Sequence, residues 1–391
     1  MSDATTIAAG GLISGTGTGL VRDRVLVIRD GRIEAIVGRT EVAEPTLDYS
    51  GLIVLPGLVD AHVHVCFDPG RRVPLVTDEG AAVVHTRACE NARALLGAGV
   101  TAAADCCGPA SPSIRVRGDI AGGLVPGPQL VVSGPALTVA SGHACDLGGT
   151  VVAEDADMSS VVEDLAASGV DFVKVMVTGG GGDGPATLQF DAKRLGDVTT
   201  AAHVRGLRVA AHCHGVAGVR ASLEAGVDRI EHATFFDGGR CQVDLDLVRE
   251  LATTRVPVCP TNAIDYRRIE QGGSGAPRTE LVQAWRALAE HGVVLAGGSD
   301  AGVQDMNFDD YALVPELMVG ELGLRPLEAI EACTRVAAKA IGLDGELGTL
   351  EPGKHADLIA VAGDPSTDIC ALRRVRAVVR RGRPVNLAEA A

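Results

Sequence analysis

A chain of 391 residues exceeds one ordinary domain and suits a barrel carrying an accessory module. Its formal charge of −15 argues against polyanionic partners, because a nucleic-acid binder needs a basic footprint. No apolar run approaches the ~20 residues that cross a bilayer, so a membrane partner is not expected either. Aromatics at 3% leave a core of Val, Leu, Ala and Ile, and 50 glycines describe a turn-rich chain. The start, Met1-Ser2-Asp3-Ala4-Thr5, lacks the positive end and apolar stretch of a signal peptide. Ten cysteines without regular spacing read as reduced thiols, so a cytoplasmic location is expected.

Residues 1–54 carry short β-type runs, Val25-Leu26-Val27-Ile28 and Arg32-Ile33-Glu34-Ala35-Ile36-Val37. Asp30-Gly31 between them suits a tight hairpin, since both residues tolerate positive φ. The C-terminus has matching pieces in Asp357-Leu358-Ile359-Ala360-Val361 and Val375-Arg376-Ala377-Val378-Val379. Neither end holds enough apolar residues for its own core. Residues 1–54 and 350–391 are therefore expected to pair into one small, discontinuous β-sandwich.

The stretch between, 55–349, alternates strand and helix. Strands are expected at 57–65, 100–106, 130–133, 171–177, 208–212, 229–232, 256–259 and 293–297. Helical segments separate them, among them 79–96, 191–204, 245–253 and 280–291, several ending in Gly before the next strand. Eight such units predict an α/β fold, a closed (β/α)8 TIM barrel rather than an open sheet. A further helix at 334–343 would return the chain to the sandwich.

Barrel chemistry sits at the C-terminal ends of the strands. Strand one ends in His62-Val63-His64, whose side chains share a face roughly 6.6 Å apart at the backbone, with Asp60 one step deeper. Strand four carries Lys174 before the loop Thr178-Gly179-Gly180-Gly181-Gly182. Strand five ends in His212-Cys213-His214-Gly215, strand six in Glu231-His232, and strand eight in Gly298-Ser299-Asp300. Each piece alone is weak, but chance would scatter such residues over both rims. Four imidazoles and a carboxylate exceed what one tetrahedral cation with an open position uses, so two divalent metals are expected.

Lys174 then needs an explanation, because an ammonium beside two dications is repelled. The chain has only four lysines. One reading is a buried lysine paired with a carboxylate. The other starts from burial and positive neighbours, which both lower a lysine pKa. A neutral amine adds carbon dioxide to become a carbamate, an anion with two oxygens that bridges two metals. Two dications against carbamate, Asp300 and hydroxide then leave about +1.

These residues resemble the amidohydrolase superfamily, in the imidazolonepropionase-like branch that includes prolidase-type dipeptidases and ochratoxinase-type amidases. The resemblance rests on Leu55-Pro56-Gly57-Leu58-Val59-Asp60-Ala61-His62-Val63-His64, on Lys174 with its glycine loop, and on Ala211-His212-Cys213-His214-Gly215. It rests also on Ile230-Glu231-His232, on Gly298-Ser299-Asp300-Ala301-Gly302 and on the re-entry stretch from Gly348 to Leu358. The resemblance implies that His62, His64 and Asp300 hold one metal and His212 and His232 the other, with carbamylated Lys174 bridging and zinc the usual metal. His212 and His214 face the same way, so spacing does not choose between them. His212, nearer the strand body, is preferred, and His214 takes a neighbouring or substrate role. Lys174 points to the peptidase and amidase side of the branch. Ala233 stands where many relatives have glycine.

A hydroxide shared between metals about 3.5–4 Å apart is a nucleophile at neutral pH. Asp300 would take its proton and later protonate the leaving nitrogen. His143 resembles a substrate-facing histidine of the branch, its alternative being a solvated loop residue. Tyr266 is a further substrate-binding candidate, and Arg71, Arg72, Arg267 or Arg268 could clamp a carboxylate. The expected activity is hydrolysis of an amide bond in a small N-acyl amino acid or dipeptide, by a homo-oligomer acting on a small-molecule substrate. The same machinery could instead act on a lactone, cyclic imide or phosphoester. A non-catalytic scaffold would have lost ligands, and none is missing.

Overall fold

The computed structural model describes residues 4–71, 79–180, 184–237, 240–264, 266 and 278–386. The two chain ends build one mixed sheet of seven strands. Its order from one edge is Arg383–Pro384, Val375–Arg380, Leu358–Val361, Leu47–Pro56, Thr5–Ile13, Leu20–Arg29 and Arg32–Gly38. The Asp30-Gly31 hairpin forms as expected, with Arg29 opposite Arg32. Ile7, Leu26, Ile33, Val54, Leu358 and Val379 supply a common core from both ends. Neither terminus contributes that cluster alone, which is why the domain is discontinuous.

Between the ends the strands are parallel and short, and they close on themselves. Leu58–Val63, Val100–Asp105 and Gln129–Val132 pair in sequence. Phe172–Met176, Arg208–Gly215, Arg229–Asp237 and Val258–Cys259 do the same. Asp171 joins the two sets: its N–H donates to Val132 O at 2.8 Å and its carboxylate accepts from Val132 N at 2.8 Å. On the far side Val258 N donates to Val294 O at 2.8 Å and Ala61 N to Gly297 O at 2.9 Å. The ring of backbone bonds is complete, as a TIM barrel requires.

The eighth position differs from the expected strand at 293–297. Residues 294–301 make isolated bridges rather than a continuous ladder, and Asp300 turns left-handed at φ 62°. The cause is close approach. A Cβ on Gly298 would lie 2.3 Å from Cys259 Sγ and 3.1 Å from His62 N, so this stretch passes between its neighbours as bare backbone.

Helices Ala81–Gly97, Ala192–Val204, Leu245–Thr254 and Arg278–Glu290 fall where periodicity puts them, within a few residues. Asp191 and Asp244 start two of them by accepting backbone N–H bonds, relieving orphan donors of the first turn. The returning helix begins earlier than the expected 334, at Pro326, where a proline suits the first helical position. Its turn widens over Ala332–Val336, and Ala332 O accepts from Gly297 N at 2.9 Å. Trp285, fully buried, donates Nε1 to His232 O at 2.8 Å and so fixes strand six from behind. Among the described residues no helix is long and apolar enough to cross a membrane.

Gly298→Ala should push Cys259 and the His62 backbone apart. Overpacking of this kind costs about 1–3 kcal/mol. Calorimetry should show a lower unfolding temperature, and an unchanged one would mean that the strand-eight segment has room to spare.

Candidate metal centre

Strand one and the strand-eight segment build the first half of the site. His62 and His64 share one face, with ring centroids 5.2 Å apart. The left-handed turn at Asp300 brings its Oδ1 to 3.0 Å from His64 Nε2 and 3.5 Å from His62 Nε2. Beneath them Asp60 accepts from His62 N at 3.1 Å and Ser299 N at 3.0 Å, tying the two segments together. Burial pushes the Asp60 carboxyl up to about 7. The pairing partner of His64 Nδ1 is Cys107 O, 3.3 Å away.

Strands five and six build the other half. The ring of His212 lies 4.7 Å from His214 and 4.5 Å from His232, and His214 stacks on His232 at 4.5 Å. The ladder between these strands slips after Cys213, and His232 and Ala233 are left-handed at φ 67° and 47°. That backbone explains why a glycine would be at ease at 233. Thr261 and Thr234 orient the pair, with Oγ1 at 2.7 Å from His232 Nδ1 and 3.0 Å from His214 Nδ1. The distorted strand end brings both His212 and His214 to His232, so geometry does not reduce the strand-five candidates to one.

Lys174 belongs to both halves. It is buried, its Nζ has no hydrogen-bond partner, and its charge acts on His62, His212 and His232 alike. Among the described residues Lys174 makes no ion pair, although its charge also helps to hold the Glu231 carboxyl down. Burial, and after it Lys174, pushes His62 down to about 4. Burial first, then neighbouring imidazoles, holds His212 and His232 well below the ordinary histidine value. Their lone pairs are therefore free at neutral pH, which is the state that binds metal.

The donor set fits divalent cations. Ligand atoms of His62, His64 and Asp300, and separately of His212, His214 and His232, lie within 4.8 Å of one another. The buried His212 Nε2 is without a hydrogen-bond partner, as Lys174 Nζ is. A third trio, His62, Cys106 and Glu231, is equally compact. It suits a cation poorly. Arg229 Nε is 2.6 Å from Glu231 Oε1 and its Nη2 is 3.4 Å from Cys106 Sγ, while burial pushes the Cys106 thiol up to about 12. Burial also works to raise the Glu231 carboxyl, but Arg229 and then His62 hold it well below the usual range.

A cavity of about 160 Å³ opens over the two halves. His143 reaches it and stacks on His212 at 4.5 Å. A Cβ on Gly180 would lie 2.2 Å from the His143 ring, so the imidazole rests directly on bare backbone. Phe67 stacks on His64 at 4.7 Å, and Leu147, Ile264, Val303 and Gln304 complete an uncharged wall. Tyr266 is not part of that wall; its ring carries the Arg278 guanidinium at 4.6 Å. Arg71 is engaged by Asp68 and Glu79. Arg72, Arg267, Arg268 and residues 181–183 of the glycine loop lie outside the described residues.

The sequence places Glu231 beside His232 at the end of strand six but assigns it no role of its own. The structure puts its Oε2 2.9 Å from His62 Nδ1. Thr234 and Thr261 were missed for want of any spacing signal.

Residues 53–385 match the amidohydrolase family. Ochratoxinase of Aspergillus niger is 26% identical, over 96% of this chain and 84% of that protein. Imidazolonepropionase of Saccharopolyspora erythraea is 28% identical, over 91% and 90%. The crystal structure of a Xaa-Pro dipeptidase with bound methionine superimposes with a TM-score of 0.85 at 27% identity, covering 98% of this chain and 100% of that one.

His62 offers a test without metal. It is neutral in the fold down to about 4 and takes a proton in the unfolded chain below the ordinary 6.5. Its contribution to stability is thus complete above 6.5 and is lost as pH falls through 4. Urea titrations of metal-free protein across that window should show a stability slope that changes by about one proton in His62→Asn. Identical slopes would mean that burial leaves His62 at its ordinary value.

Proposed function

The chain belongs to the amidohydrolase family, and from that premise we propose that it is a two-metal hydrolase of the amide bond in a small N-acyl amino acid or dipeptide. The observation that carries this reading is the buried Lys174 amine, without a hydrogen-bond partner, that acts on imidazoles of both ligand groups. His62, His64 and Asp300 would hold one cation, and His212 and His232 the other, with zinc the expected metal. Lys174, by adding carbon dioxide at Nζ and giving up a proton, would supply a carbamate anion as a further ligand. His214, within the same imidazole group, orients His232 or meets the substrate.

Two divalent cations supply a Lewis acid for the scissile carbonyl and make water nucleophilic at neutral pH. Asp300 accepts the proton that the water gives up and returns it to the leaving nitrogen, a role suited to a carboxylate 3.0 Å from His64 at the cavity floor. His143 faces the same space and holds a polar group of the substrate. The wall of Phe67, Leu147, Ile264 and Val303 favours an apolar side chain. The similarity to a Xaa-Pro dipeptidase and to ochratoxinase supports an amide over other bonds.

Metal analysis coupled to a panel of dipeptides and N-acyl amino acids tests the proposal. Close to two divalent ions per chain are expected, with activity lost on chelation and restored on metal addition. Asp300→Ala should lower kcat by about 100- to 10,000-fold with the fold intact. Lys174→Ala should lose most bound metal, and a short carboxylic acid should restore part of it. A metal-free preparation of full activity would overturn the proposal, and turnover of a lactone or phosphoester alone would redirect the substrate.

A further inference from the structure

Below the floor of the metal centre lies a second layer of buried polar groups that the proposed chemistry leaves unused. Arg229, Glu231 and His62 run in a line, all of them almost wholly buried. Arg229 Nε donates to Glu231 Oε1 at 2.6 Å, and Glu231 Oε2 lies 2.9 Å from His62 Nδ1. The other ring nitrogen, His62 Nε2, faces Asp300 Oδ1 at 3.5 Å. Arg229 is held in turn by Ala340 O at 3.4 Å and by the face of Phe172 at 5.4 Å. The guanidinium therefore cannot swing away from the carboxylate.

This line exists because strand six breaks its alternation. Residues 231 and 232 would ordinarily point to opposite faces. The left-handed backbone at His232 and Ala233 lets both side chains approach His62: the carboxylate from below, and the imidazole from the side with centroids 5.3 Å apart.

We infer that Glu231 is a positioning residue that fixes the tautomer of His62 and so decides which ring nitrogen meets the cation. Resting on the metal reading above, the donors and acceptors around the ring decide its tautomer. A carboxylate already bonded to Arg229 has only an acceptor to offer its second neighbour. With Glu231 Oε2 at 2.9 Å from Nδ1 and Asp300 Oδ1 farther, at 3.5 Å from Nε2, the ring proton belongs on Nδ1 and Nε2 presents its lone pair beside His64 and Asp300. Outer partners of this kind raise ligand basicity and lock ring orientation, and losing one lowers metal affinity by about 10- to 100-fold.

Glu231→Gln is the discriminating variant. Arg229 demands an acceptor, so the amide oxygen faces it and the amide N–H group faces His62 Nδ1. The proton moves to Nε2, which can no longer bind a cation. Chelator competition on the zinc-loaded protein should show one of two ions released at about 10- to 100-fold lower chelator concentration, with the other unchanged. Nitrogen-15 spectra of histidine-labelled, metal-stripped protein should show His62 switching from the Nδ1–H to the Nε2–H form. Wild-type affinity for both ions with an unswitched tautomer overturns the inference.

A merely structural carboxylate would lower the unfolding temperature and weaken both ions together, which also overturns it. Should Glu231→Gln not fold, Arg229→Met with Glu231→Leu removes the pair without leaving a buried charge alone. That double variant is expected to fold and to lose the same ion selectively; two tightly held ions would again overturn the inference. A wild-type protein that holds no metal defeats the reading of the site instead, and the tautomer spectrum then decides the Glu231 contact by itself.

Discussion

A buried amine without a hydrogen-bond partner, set among imidazoles, is the constraint on which the rest of the site depends. Lys174 sits mid-strand, buried at the cavity floor, with its Nζ lacking a hydrogen-bond partner. An ammonium in that position costs several kcal/mol unless an opposite charge meets it. Glu231, whose carboxyl the Lys174 charge also helps to hold down, is bonded to Arg229, and Asp60 to Ser299 and the His62 backbone. On the function proposed above, the amine would gain an anion of its own by adding carbon dioxide. Around it the imidazoles stay neutral because burial forbids them charge.

Backbone strain is concentrated where this preparation happens. His232, Ala233 and Asp300 all take positive φ at the rim of the barrel. Such conformations in residues other than glycine cost about 1–3 kcal/mol each and persist only where surrounding structure enforces them. Trp285 enforces the first by bonding His232 O, and the glycine-lined approach of Gly298 to Cys259 and His62 enforces the last. The strain turns two side chains inward that a regular ladder would have sent elsewhere. Irregularity at strand eight and the placement of Asp300 beside His62 and His64 are thus one feature seen twice.

Much of this is legible in the sequence because it depends on short-range periodicity. His62 and His64 share a face by the two-residue repeat of a strand, and eight strand–helix alternations give the barrel. The scarcity of lysine singles out Lys174. What escapes is anything that depends on a break in period. Glu231 and His232 are neighbours, so alternation denies them a common target, and only the left-handed backbone at 232 and 233 reveals one. The slip after Cys213 likewise brings His214 beside His212 and His232, where spacing alone left a choice. Tyr266 follows strand seven in order yet turns to Arg278, a cation–π contact with no signature in sequence.

The carbamate at Lys174 is the central claim, and electron density answers it most directly. A crystal structure of the protein grown with zinc and bicarbonate, with anomalous data collected at the metal edge, should show two metal peaks about 3.5–4 Å apart. A planar carboxylate extension on Lys174 Nζ should bridge them. Two loaded metals beside an unmodified Lys174 ammonium would contradict the account.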